Sequence, residues 1–126
     1  MKEIIKVFLR RARVFENDAR NNFKNGDFDI AMFHLEQAAQ LMVKAKLLDL
    51  KGSFQRTHSL RRLLSELSDL TGSDELKRFI DMNKRVLRDL ERAYISSRYI
   101  YDEFFEEEVE EAFRVVNELR KILWKE

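Results

Sequence analysis

The run F-H-L-E-Q-A-A-Q-L-M-V-K-A-K-L-L, from Phe33 to Leu48, is apolar around most of a helix, yet it places His34, Gln37 and Lys44 among those apolar residues. A helix apolar on most sides belongs inside a bundle. Polar groups there must meet partners or face a cavity. Gln37 and Lys44 project from one side of this helix over two turns, a placement that a snorkelling lysine and an exposed glutamine would explain without function. His34 falls between the arc Ala31, Leu35, Ala38, Met42, Ala45 and the residues Ile30, Leu41 and Leu48 beside it. An imidazole in that position is a core group bonded to a carbonyl or polar side chain, or else part of a site.

A second grouping lies in A-Y-I-S-S-R-Y, Ala93 to Tyr99, where Tyr94 and Arg98 are one turn apart and Tyr99 follows. The guanidinium fork suits phosphate or carboxylate, and a tyrosine beside it can stack on a base or orient the fork. An interhelical salt bridge to a glutamate would use the same arginine. Lys2, Lys6, Arg10, Arg13, Arg20 and Lys24 make one face of the first helix basic. Such a stripe serves phosphate contacts or simply solvates an amphipathic helix, and no aromatic interleaves with it to stack bases. The acidic run Asp102, Glu103, Glu106, Glu107, Glu108, Glu110 and Glu111 opens the last helix while Arg120, Lys121 and Lys125 close it, an order that complements the helix dipole. Carboxylates at successive turns can hold a metal, but di-metal bundles use Glu-x-x-His pairs on two helices, and neither histidine has that spacing. No metal and no other cofactor is expected.

The elements that must position these residues follow from punctuation and periodicity. There is no proline, and the three glycines, Gly26, Gly52 and Gly72, fall where breaks are expected. Ile5, Phe8, Ala12, Phe15, Ala19 and Phe23 recur at helical spacing, giving a first helix near 3–24 ended by Asn25-Gly26. Asp27 is expected to cap a second, near 28–50, antiparallel to the first across a short turn. A third, short helix carries Leu60, Leu63, Leu64, Leu67 and Leu70, with Thr57 or Ser59 as its cap. The fourth runs on from Thr71-Gly72-Ser73 through Leu76, Phe79, Ile80, Val86, Leu87, Leu90 and Tyr94. The last carries Phe105, Val109, Ala112, Val116, Leu119 and Leu123, with Trp124 as a packing anchor at the bundle end. The expectation is an all-α antiparallel bundle of about five helices.

The chain has 126 residues, enough for one domain, 1–126, with a real core. Lysine and arginine total 24 against 23 acidic residues, so any basic surface is local rather than global. The absence of cysteine removes disulfides, thiolate nucleophiles and cysteine zinc sites. The start has too short an apolar stretch for a signal peptide, and no segment reaches the ~18 apolar residues of a membrane helix. A soluble, cytoplasmic protein without membrane association is expected.

The order G-D-F-D-I-A-M-F-H-L-E-Q-A-A-Q-L-M-V-K-A, then R-T-H-S-L-R-R-L-L, then A-Y-I-S-S-R-Y, then an acidic-headed terminal helix resembles the HEPN domain, named for higher eukaryotes and prokaryotes nucleotide binding. The resemblance spans nearly the whole chain. It implies a helical bundle related to the helical domain of kanamycin nucleotidyltransferase, commonly a homodimer. Many prokaryotic members are encoded with a minimal nucleotidyltransferase, often as toxin and antitoxin, and others are metal-independent ribonucleases. Gln37, Ala38 and Lys44 match the family's Q-A-x-x-x-x-x-K-A pattern, His58 matches the histidine before the third helix, and Arg98-Tyr99 matches the arginine-tyrosine pair ending the fourth. Ile100 stands where many relatives have proline. The ribonuclease members need a histidine separated from the arginine by four to six residues, and Glu103, Phe104 and Phe105 occupy those places here. RNA cleavage by its own 2′-hydroxyl needs proton transfer near neutral pH, a task for imidazole. The resemblance therefore implies a non-catalytic binding and assembly module, a homodimer acting with a minimal nucleotidyltransferase, ahead of a metal-independent ribonuclease. Its nucleotide or phosphate site would use Gln37, Lys44, His58, Arg98 and Tyr99, supported by His34 and Tyr94, with a nucleotide or RNA as ligand. That reading requires Lys44, His58 and Arg98 to converge on one hollow.

Overall fold

The computed structural model describes residues 2–99 and 102–125, without the side chains of Lys2 and of residues 97–99. Among the described residues there are six helices and no strand. Helices α1 (Lys2–Lys24) and α2 (Phe28–Lys51) form the opening hairpin. The carboxylate of Asp27 makes no cap bond, contrary to expectation, because its ψ of 71° is not the extended backbone from which a capping side chain reaches the first turn. The Asp27 backbone joins the elements instead, its N–H donating to the Asn22 carbonyl at 2.9 Å and its carbonyl accepting from Ala31 at 3.0 Å. At the far end of α2, Gly52 adopts φ 79° and donates its N–H to the Leu48 carbonyl, a left-handed cap that glycine supplies without a Cβ clash.

Helix α3 (Leu60–Thr71) is capped by Ser59, whose Oγ accepts from Arg62 N. Thr57 instead accepts the Ser59 N–H through its hydroxyl. The expected long fourth helix is two helices, α4 (Asp74–Met82) and α5 (Lys84–Tyr99), broken at Asn83. The side-chain amide of Asn83 donates to the Phe79 carbonyl at 2.8 Å. Its own carbonyl accepts from Leu87 at 2.9 Å. One residue thus closes α4 and opens α5, the local competition with the helix ladder for which asparagine is suited. In α6 (Glu106–Trp124), the Glu108 carboxylate accepts the Phe105 N–H at 2.9 Å.

Helix α2 is the axis of the bundle, packed along α1, α3, α5 and α6. The arc Ala31, Leu35, Ala38, Met42, Ala45 is buried, and so is a second arc, Met32, Ala39, Val43, Leu47. Alanines on α2 and the buried Ala12 and Ala19 of α1 let the hairpin helices approach closely. Trp124 donates its indole N–H to the Met42 carbonyl at 3.2 Å, fastening the end of α6 to α2. Among the described residues no helix is long and apolar enough to cross a membrane.

Candidate functional site

A polar cluster occupies the seam where α2 meets α5 and the 53–59 segment. At its base is Glu36, completely buried on α2. Gln37 donates to Glu36 Oε1 at 2.8 Å. Gln40, one turn on, donates through Nε2 both to Glu36 Oε2 at 2.9 Å and to the His58 carbonyl at 2.7 Å. Burial pushes the Glu36 carboxyl from 4.5 up to about 7; the bonds from Gln40 and Gln37 and the charge of Lys44 pull it back, and the charge of Glu91 adds to the rise. The Gln40 side-chain oxygen, Oε1, is buried with no hydrogen-bond partner. Protonation turns Glu36 from a pure acceptor into a donor, the kind of group that Oε1 lacks.

Above this base stands an aromatic stack. The exposed His58 ring lies on Tyr94 with centroids 4.9 Å apart and planes at 22°, and Tyr94 in turn lies offset on Phe33 at 6.4 Å and 28°. Glu91 of α5 anchors the start of α3, accepting from Ser59 Oγ at 3.1 Å and from Arg61 Nε. The His58 segment is therefore held from two sides, by Gln40 and by Glu91. Lys44 places its ammonium 5.2 Å from the centre of the Phe54 ring. Burial holds its pKa below the usual lysine value, opposed by the charge of Glu36.

Gln37, Lys44, His58 and Tyr94 thus gather around the Glu36–Gln40 pair. His34 does not join them. Its Nδ1 lies 2.6 Å from Asn22 Oδ1, so Nδ1 carries the hydrogen, and its ring packs between Phe15 and Phe33 at 5.7 Å from each. It belongs to the α1–α2 interface. The backbone of α5 continues one turn past Tyr94 to Arg98 and Tyr99, whose side chains lie outside the described residues. The expected convergence of Lys44, His58 and Arg98 on one hollow therefore falls outside the described residues at Arg98, while Lys44 lies against Phe54 and His58 against Tyr94. Lys6, Arg10, Arg13, Arg20 and Lys24 are exposed along α1.

The cluster rests on three residues that sequence reasoning did not single out: Glu36, Gln40 and Glu91. A signal for the first two was present. Glu36 and Gln40 are one turn apart, in line with Met32, Val43 and Leu47, and an acid and an amide on an apolar arc must satisfy each other. Nothing local marks Glu91, because its partners Ser59 and Arg61 lie about thirty residues away.

Chemically, Glu36 is too deep to touch a ligand and acts by positioning its neighbours. The solvent-facing groups are a stacked imidazole, an amide and an ammonium. Among the described residues no three His, Asp or Glu side chains converge to hold a metal.

A sequence model of the HEPN domain matches residues 5–126 of the chain. A search of curated proteins finds no match. Among solved structures, the crystal structure of TT1696 from Thermus thermophilus superposes with a TM-score of 0.78 at 22% sequence identity, over 96% of each chain. At that identity the likeness establishes the shared helical fold.

Proposed function

Because the chain belongs to the HEPN domain family, we propose that it is a non-catalytic binding and assembly module whose α2–α5 seam accepts a nucleotide. The observation that carries this reading is the His58–Tyr94 stack, at 4.9 Å with the outer imidazole exposed. A base laid on an aromatic face gains about 1–3 kcal/mol, whatever its identity. Lys44 and Arg98 are assigned to the phosphate, and Gln37 to orientation. The protonated form of Glu36, favoured up to about pH 7, lowers the negative charge that would otherwise repel a phosphate at this seam. The module is a homodimer that docks a minimal nucleotidyltransferase, in a toxin-antitoxin type of pair.

Titration calorimetry with ATP and with a short RNA tests the proposal. His58→Ala and a Lys44→Ala, Arg98→Ala double variant are each expected to weaken nucleotide binding at least about tenfold while leaving the dimer intact. Unchanged affinity in both variants would refute the site. RNA cleavage in the presence of a metal chelator, abolished in both His58→Ala and Arg98→Ala, would replace this reading with the ribonuclease, since His58 stacks on Tyr94, one turn before Arg98.

A further inference from the structure

Helices α1 and α6 leave a groove of 460 Å³ between them, formed by other helices than those that carry the polar cluster. Its floor is aromatic. Phe23 and Phe113 meet edge to face with centroids 5.8 Å apart and planes at 85°, and neither ring is fully buried. Arg20 and Lys24 stand on the α1 wall and Arg114 on the α6 wall. The carboxylate in the lining is Glu16, whose Oε2 is already taken by Arg120 and approached by Arg20 at 3.8 Å. The groove therefore carries surplus positive charge over an apolar floor. Arg114 is weakly engaged, meeting Glu111 at 3.8 Å with its side chain 63% exposed.

Glu16 supplies a second, independent observation. The residue is 5% exposed, lines the groove, and its Oε1 is buried without a hydrogen-bond partner. Such an acceptor is costly to leave empty. Arg20, whose side chain is 54% exposed, approaches the other oxygen, Oε2, and donates to Asn17 Oδ1 at 2.6 Å, so Oε1 is left as the unpartnered acceptor in the lining. An aromatic floor, three cations and one orphaned acceptor define a complementary ligand. We propose that the α1–α6 groove binds a small aromatic anion carrying an N–H or O–H donor: the ring on Phe23 and Phe113, the anionic group at Arg114 and Lys24, the donor toward Glu16 Oε1. The volume falls within the range of small-molecule sites. The arrangement also sets polarity, because an anionic group placed at the Glu16 end would meet a like charge.

The probe 6-(p-toluidino)naphthalene-2-sulfonate has the required parts, two aromatic units, an anion and, at the opposite end of the naphthalene, an N–H. Its neutral analogue N-(p-tolyl)-2-naphthylamine keeps the rings and the N–H without the charge. Fluorescence titration of the whole chain is expected to saturate at one sulfonate probe per protein. Arg114→Glu should weaken the sulfonate probe about tenfold and leave the neutral one within about twofold, while Phe113→Ala weakens both. Lys77→Glu on α4 and His58→Ala in the polar cluster should change neither, which separates this site from the nucleotide reading. Equal effects of Arg114→Glu on the two probes, or a signal that rises without saturation, would overturn the proposal. So would a dimer in sedimentation that Phe113→Glu dissociates, since the groove would then be filled by a second copy.

Discussion

Replacing Glu36 with glutamine isolates the buried carboxyl beneath the seam. In the fold this group titrates near 7 rather than at 4.5, chiefly because it is buried. Its folded value lies above its unfolded one, so the native state binds the extra proton between those two pH values. The contribution of this group to stability is therefore highest below about pH 4.5, where both states are protonated, and is lost as pH rises through about 7. A difference of some 2.5 units at 1.36 kcal/mol each makes the decline about 3 kcal/mol, reached above neutrality. Glutamine has nearly the same shape and never ionises. It keeps an oxygen to accept from Gln40 and puts an N–H₂ group where Oε1 accepts from Gln37, whose half-buried amide can turn over to present its own oxygen. The variant should thus be within about 1 kcal/mol of wild type at pH 5 and more stable by about 2–3 kcal/mol at pH 8.5. Urea unfolding followed by far-ultraviolet circular dichroism from pH 5 to 8.5 measures this, and the difference between the two proteins cancels every other titrating group. Parallel curves, with a constant gap across the range, would show that Glu36 does not carry the proton and would refute the reasoning.

Two further variants probe how the site is held. Ser59→Ala removes the cap that receives the Arg62 N–H and a donor to Glu91; an expected loss of about 1 kcal/mol should appear as a lower urea midpoint with unchanged slope. Arg120→Met strips Glu16, 5% exposed, of its closest cation and should destabilise by about 3 kcal/mol, most of it recovered when Glu16→Leu is added, since two apolar groups do not leave a buried charge. A single variant within about 0.5 kcal/mol of wild type would mean that Arg20 alone satisfies Glu16.

The helices were legible because their ends are marked by residues with few alternatives. Gly26, Gly52 and Gly72 each adopt positive φ at a break, and leucines at helical spacing fix the buried faces of α3. The division at Asn83 was not legible. Lys84 and Arg85 continue a helical pattern on either reading, and the break shows in the Asn83 backbone, at φ −119°, and in its side-chain bond to the Phe79 carbonyl. Of the site, the polar interruptions of α2 are visible in sequence at His34, Gln37 and Lys44, whereas the buried Glu36 beneath them is not. His34 stood out by residue type, yet it pairs across the hairpin with Asn22. Glu36 looked like any helical glutamate, although it is the more buried of the two. Sequence reveals that a polar group shares an arc with apolar ones; which neighbour shuts it from water is a property of α5 and the 53–59 segment, brought in from far along the chain.

A rod gripped on four sides cannot turn about its own axis without disturbing every contact at once, and α2 is such a rod, touched by α1, α3, α5 and α6. Its rotational phase is therefore shared property. Any lineage that reshapes the seam beside α5 by rolling this helix must also move the alanines against which α1 rests, so change at the seam is confined to the residues that cap it, while the rod itself stays as it was.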